Sequence, residues 1–486
     1  MTKYFKYFYI VFGLTFVGYI LARSILMDIT YDEAWTIDAF VGLPVIDIIS
    51  FSPPQVNNHM TNTLLIKLFY QFGNESVFIA RLPNVIAGVF YLFFSYRISK
   101  EFFRPIFGLS LFILLISNPF ILDFFSLARG YGLALAFCIG SIYYLIRFIE
   151  EHKIKAAYFS LILGSLSVLS SFSFLFYFAG LLFISHYSYY QNRVLKPQIF
   201  QLTKGTLIIL IVLGALLFKP LTKLISIGEL SYGGDINFYK DTLSSLVSSA
   251  INNYDITITS IILNCFLILL LLIMAFSLMK GNEKISFWSS QKWKLIILLV
   301  LPIIATSISN YLFGTKYLIN RTALFFYPLI MLVLVQLAND IYTKAIRQIA
   351  AVSLAILSIF SLINCANYWN FHTSTTWFHD AHTSEILTKL NTIGIDQNKL
   401  IKLDADWPFK SSILYYTKRN VYEHVVFVED EPTNLDSSNA DYFLHLIRPL
   451  AHYGYVTDTK SIMRYQRDTL LYFEKEGIIL LSNTVK

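Results

Sequence analysis

The chain has 486 residues, of which 56% are hydrophobic and only 14% charged, with a mean hydropathy of +0.57; a soluble domain carries roughly 25% charged residues, so the composition excludes one and predicts a polytopic α-helical membrane protein. The net charge of +7 does not imply nucleic acid, because the Lys and Arg residues lie between apolar runs instead of forming one basic face. Cys138 and Cys265 lie inside apolar runs and Cys365 at the end of another, which suggests neither a disulfide framework nor a thiolate metal site.

In chain order, Lys3 and Lys6 precede the apolar YFYIVFGLTFVGYILA, and no small-x-small cleavage site occurs before Arg23. This reads as an uncleaved first span rather than a signal peptide. Windows of about 20 apolar residues predict spans near 5–22, 78–96, 105–122, 130–149, 156–172, 173–190, 205–218, 257–279, 294–312, 322–340 and 346–364, about eleven in all. Over 156–190, SSFSFLF is read either as a tight turn between two spans or as a polar patch in one bent helix.

The loops alternate in charge. Arg97, Lys100 and Arg104, then Arg147, Lys153 and Lys155, then Arg193, Lys196 and Lys204, then Lys280, Lys284, Lys292 and Lys294, then Lys344 and Arg347 share the side of Lys3 and Lys6. The intervening loops hold Asp28, Asp32, Glu33, Asp38, Asp47 and Glu75, then Asp123, then Glu229, Asp235, Asp241 and Asp255. The positive-inside rule, with an odd number of spans, then places the N-terminus in the cytoplasm and everything after 365 outside. The expected domains are a membrane region, 1–365, with a long first outer loop at 23–77, and a small extracytoplasmic α/β domain, 366–486. In the latter, SEILTKLNTIG reads as an amphipathic helix ended by Gly394. KLIKLDAD, EHVVFVED, DYFLHLI and TLLYFEKEGIILL read as short strands.

The outer loops carry the candidate chemistry. VGLPVIDII and NTLLIKLFYQF suggest helices along the membrane surface, and between them FSPPQVNNHMTNT crowds Asn57, Asn58, His59, Thr61, Asn62 and Thr63 against the bilayer. In TYDEAW, Thr30 and Glu33 have capping-box spacing, while Asp32 falls at the second helical position, near the positive end of the helix dipole. Arg129 begins a later span, and Lys316 and Arg321 precede another. Each arginine alone is an interfacial anchor. Two on the outer side oppose the charge rule, and guanidinium groups bind phosphate bidentately. Together they suggest an anionic lipid headgroup, so membrane lipids are expected partners.

An Asp-Glu pair just after the first span, a polar first loop with a histidine, A-R-G-Y opening a later span and R-T-A-L-x-x-x-P in a late one resemble the GT-C class of lipid-linked-sugar glycosyltransferases. The branch they are most similar to is the bacterial one related to protein O-mannosyltransferases and the lipid A aminoarabinose transferase. The resemblance covers 1–365. It implies a polyprenyl-phosphate sugar donor, an extracytoplasmic acceptor and an inverting displacement, and it makes the membrane a bacterial inner membrane. By position it makes Asp32 the catalytic base with Glu33 its neighbour, and sets Arg129 and Tyr131 near the donor headgroup and Arg321 near the phosphate. Lys316 joins them on charge, and His59 shares the base's work or positions the donor. Where many relatives have H-P-P or K-P-P, this chain has NNHMTN, with no second carboxylate there to serve as a ligand. A divalent metal is thus the one cofactor left open. Two other classes also suit outer arginines: a transporter or flippase for lipid-linked sugars, which would show paired halves and a midplane site, and a polysaccharide polymerase or ligase, which would centre on a large late outer loop.

Overall fold

The computed structural model describes residues 3–191, 199–251, 255–278, 290–428, 440–447 and 467–485. Arg193, Lys196, Lys280 and Lys284 of the charge pattern lie outside them. The chain divides into two compact units, Met1–Ser24 with Leu43–Trp369, and Ile25–Gly42 with Asn370–Lys486. The Asp-Glu segment therefore folds with the C-terminal residues.

The first unit is helical. Each of the expected spans coincides with an apolar helix, among the described residues. Among the described residues, eight helices are individually long and apolar enough to cross a membrane: Phe5–Leu26, Val77–Glu101, Gly130–Glu151, Phe172–Tyr190, Phe200–Ser226, Ile256–Ser277, Gln291–Phe313 and Lys344–Asn367. Ile154–Ser170 and Phe326–Asn339 are shorter. Around SSFSFLF, Ile154–Ser170 ends before a 3-10 turn at Phe172–Phe174, so two helices rather than one bent helix occupy the region.

The span expected at 105–122 is broken. Pro105–Ile116 and Pro119–Ser126 meet at 59°. Asn118 starts the second piece, its Oδ1 accepting from the amides of Phe120 at 3.0 Å and Ile121 at 3.3 Å, with Pro119 in the first turn, where a missing N–H costs nothing. Asp123, read as a loop residue, is instead helical and buried, and accepts from Arg23 at 2.5 Å. Arg23 also donates to Tyr19 at 2.9 Å. An apolar setting keeps such a pair dry, so neither partner is dispensable alone.

In the second unit a five-stranded sheet has the order β2-β1-β3-β5-β4, with β1 Ile401–Ala405, β2 Val425–Phe427, β3 Tyr442–Leu446, β4 Arg467–Phe473 and β5 Ile478–Val485. β1 is parallel to β2 and β3, and β5 is antiparallel to β3 and β4. TLLYFEKEGIILL, read as one strand, is the hairpin of β4 and β5. The helix Lys410–Lys418, not anticipated, connects β1 towards β2, as a parallel pair requires a crossover. Its mixed composition hides it, although Ile413 packs into a core with Leu387, Leu390, Leu403 and Leu480. The amphipathic helix runs Thr383–Gln397, past Gly394, and ends at Asn398 in the left-handed region, φ 49°. Gly394 is there for close packing instead: a Cβ would lie 2.5 Å from that of His424.

Candidate functional site

Within the helical unit, three separated stretches converge. The first-loop helix Met60–Tyr70 starts directly after His59. The helix Gly130–Glu151 starts directly after Arg129, whose own backbone is extended. Arg129 Nη2 donates to Asn57 Oδ1 at 3.0 Å, and Asn62 Nδ2 to the Ala128 carbonyl at 2.9 Å. Asn84, inside the helix Val77–Glu101, donates to Asn62 Oδ1 at 2.7 Å and accepts from the Leu133 amide at 3.2 Å. These amide groups lock the first loop onto the A-R-G-Y turn. All are buried apart from Asn57, and buried polar groups stay only where they are hydrogen-bonded.

The A-R-G-Y turn also forms a seat for His59. Tyr131 sets its ring edge-on to the imidazole, centroids 4.7 Å apart, with Phe124 on its other side at 5.1 Å. Gly130 has no side chain because a Cβ there would collide with the Ser170 carbonyl oxygen and lie 2.8 Å from His59 Cβ and Cγ. His59 Nδ1 lies 3.2 Å from that same carbonyl. A carbonyl only accepts, so Nδ1 carries the proton and Nε2 presents a lone pair. Burial pushes the His59 pKa well below its usual value, and the positive charges of Arg129 and Arg321 push it further, against the opposing hydrogen bond to Ser170. The imidazole is neutral at physiological pH.

Arg321 lies in the 3-10 turn Asn320–Ala323, its guanidinium 4.6 Å from the centre of the Tyr232 ring. Asn320, at φ 46°, is held by Ser249 and Ser245 at 3.0 Å each. Lys316 is ion-paired with Asp235. Asn58 holds the loop, donating to the Ile48 carbonyl at 2.8 Å. Lys223, which the sequence reading passed over, donates to the carbonyls of Ser50 at 2.9 Å and Phe51 at 3.2 Å. Also passed over were Asn84 and Arg81, both buried near the start of a span. Polar residues in an apolar run are a signal that was available.

Within the second unit, Thr30 precedes the helix Tyr31–Thr36. Glu33 Oε2 accepts from both the amide and the hydroxyl of Thr30, each at 3.0 Å. Glu33 is thereby committed to the backbone. Asp32, the other carboxylate of the pair, is also buried, at 8% exposed. His379 and Asp380 are buried in the same unit. Burial lowers the His379 pKa to about 4, partly offset by the Asp32 carboxylate. Burial raises that of Asp380, against the hydrogen bonds from Ser412 and the Tyr31 amide. Among the described residues no cluster of three or more His, Cys, Asp or Glu is arranged to hold a metal ion.

The chain is mostly helical, with many apolar helices and a small sheet. Residues 60–218 match the family model of the dolichyl-phosphate-mannose-protein mannosyltransferases, a span that includes the Asn62–Asn84 pair and the A-R-G-Y turn. In fold, the chain is similar to the crystal structure of ArnT from Cupriavidus metallidurans bound to undecaprenyl phosphate, with a TM-score of 0.52 over 98% of each chain at 10% identity. The apo-state structure of the same protein aligns with a TM-score of 0.44, also over 98% of each chain, at 11% identity. No curated protein sequence matches this chain.

Proposed function

We propose that the protein is an integral membrane glycosyltransferase that moves a sugar from a polyprenyl-phosphate donor to an extracytoplasmic acceptor, with inversion at the anomeric carbon. The observation that carries this reading is the turn Arg129-Gly130-Tyr131 joined to Asn57, His59 and Asn62, with the turn and Asn62 inside the segment 60–218 that matches the mannosyltransferase family model. The fold it shares with an undecaprenyl-phosphate-bound protein supports a lipid phosphate as the leaving group.

In the proposed reaction Asp32 takes the proton of the acceptor hydroxyl. The oxygen forms its bond to the anomeric carbon from the face opposite the phosphate. The bond from that carbon to the phosphate oxygen breaks, and polyprenyl phosphate departs with the electron pair. Arg129 and Arg321 balance the charge that develops on it. Neutral His59 serves as a hydrogen-bond acceptor that positions the donor, and Tyr131 fixes its ring. Lys316 contributes only to the local field, since Asp235 already occupies it. No covalent enzyme intermediate is needed.

The test is to incubate purified protein in detergent with a panel of polyprenyl-phosphate sugars and candidate acceptors and to measure free polyprenyl phosphate. Release with at least one donor is expected; none across the panel overturns the proposal. The accompanying topology, with the N-terminus cytoplasmic and 366–486 outside the bacterial inner membrane, predicts that cysteines introduced after 370 label from outside intact cells. The background would have Cys138, Cys265 and Cys365 replaced.

A further inference from the structure

Residues 28–33 and 380–384 cap each other. Asp380 Oδ2 accepts from the amide of Tyr31, the first residue of the helix Tyr31–Thr36, at 2.6 Å. Asp28 Oδ2 accepts from the amide of Ser384, in the first turn of the helix Thr383–Gln397, at 3.0 Å. The hydroxyl of Thr383 donates to the Asp380 carbonyl at 3.1 Å, which braces the second cap. The amides at a helix start have no partner within the helix, and here a distant carboxylate supplies one in each direction. Further along the segment, Arg419 pairs with Asp38 at 2.9 Å, and Trp407 packs edge-on against Tyr31 with centroids 5.9 Å apart.

The helix that carries Asp32 is six residues long before it passes into a π-helical turn at Ile37–Val41. A helix that short does not hold its own start in water. The amides of Thr30 and Tyr31 are held by Glu33 and Asp380 respectively, and Asp32 is the next residue. We propose that Asp380 and Asp28 are positioning residues for Asp32, and that the C-terminal module is the frame that fixes the carboxylate helix. This rests on the assignment of Asp32 as the base. The module is then part of the catalytic apparatus, acting through backbone amides and touching no substrate.

The test compares full-length Asp380→Ala and Asp380→Asn in detergent, measuring kcat and donor KM. The asparagine oxygen can still accept from the Tyr31 amide, so Asp380→Asn keeps the cap that Asp380→Ala removes. Asp380→Ala is expected to lower kcat by about 10²-fold, the cost of about 1 Å of misplacement, with donor KM unchanged, and Asp380→Asn to restore most of it. Equal kcat in the alanine variant and the parent, equal loss in both variants, or a KM rise matching the kcat fall overturns the inference. If Asp380→Ala does not fold, Asp28→Ala against Asp28→Asn decides by the same criteria. Asp32→Asn, run alongside, separates the two claims. If it is inactive while Asp380→Ala is fully active, only the positioning role fails; if it is fully active, the assignment of the base fails.

Discussion

The two units hold their charged groups by different means. In the helical unit Arg23 is neutralised by Asp123, and Arg129 is held by the amide of Asn57 in a network of uncharged side chains. In the second unit the carboxylates of Asp28, Glu33 and Asp380 are spent on backbone amides. The first arrangement buries guanidinium groups among hydrogen-bonding side chains. The second ties carboxylates to the backbone amides at the start of the short helix that bears Asp32. Loss of Asp32 is therefore expected to cost turnover, and loss of the arginines donor binding.

The largest effect is expected at Asp32. Asp32→Asn lowers turnover by about 10²- to 10⁴-fold, the usual worth of a positioned base, in the polyprenyl phosphate release assay.

Next is the buried pair of the helical unit. Asp123→Ala strands Arg23 in an apolar setting and costs about 3–5 kcal/mol of stability, read as a lowered unfolding midpoint in detergent. The double replacement Arg23→Met with Asp123→Leu recovers most of it.

A smaller effect is expected at His59. Its folded pKa lies below the ordinary 6.5, so between the two values the unfolded chain binds the proton and the folded protein does not. The stability tied to neutral His59 is complete above pH 6.5 and is lost as pH falls towards the folded value. His59→Gln should flatten the acid-side fall in the unfolding midpoint measured between pH 7 and 5. The smallest is Lys316→Ala, which breaks a pair whose Asp235 side chain is 70% exposed. It should change the midpoint by the equivalent of less than about 1 kcal/mol.

What the sequence reveals of this molecule divides along the same line. The apolar runs are legible because a membrane helix needs about 20 apolar residues in a row, and every expected span meets a helix. The Thr30–Glu33 cap is legible because its partners are three residues apart. The break at Asn118-Pro119 was available in the residues and was missed because the run around it is uniformly apolar. Arg23 with Asp123, Tyr31 with Asp380 and Asp28 with Ser384 were not legible, since each joins residues a hundred or more positions apart. The second carboxylate of DE was correctly read as a cap, but nothing local signals that the segment bearing it folds with the C-terminal sheet. Gly130 and Gly394 show the same limit: one makes room for His59 and the other for His424, neighbours that only the fold supplies.

The measurement that bears most directly on the account is a paired one: donor dissociation constant and turnover, determined side by side for Asp32→Asn and Arg321→Ala. Asp32→Asn is expected to lose turnover with donor affinity intact, while Arg321→Ala weakens donor binding by about 10- to 100-fold, the worth of a charge-assisted hydrogen bond. Full turnover in Asp32→Asn, or the same loss of affinity in both variants, would contradict that expectation.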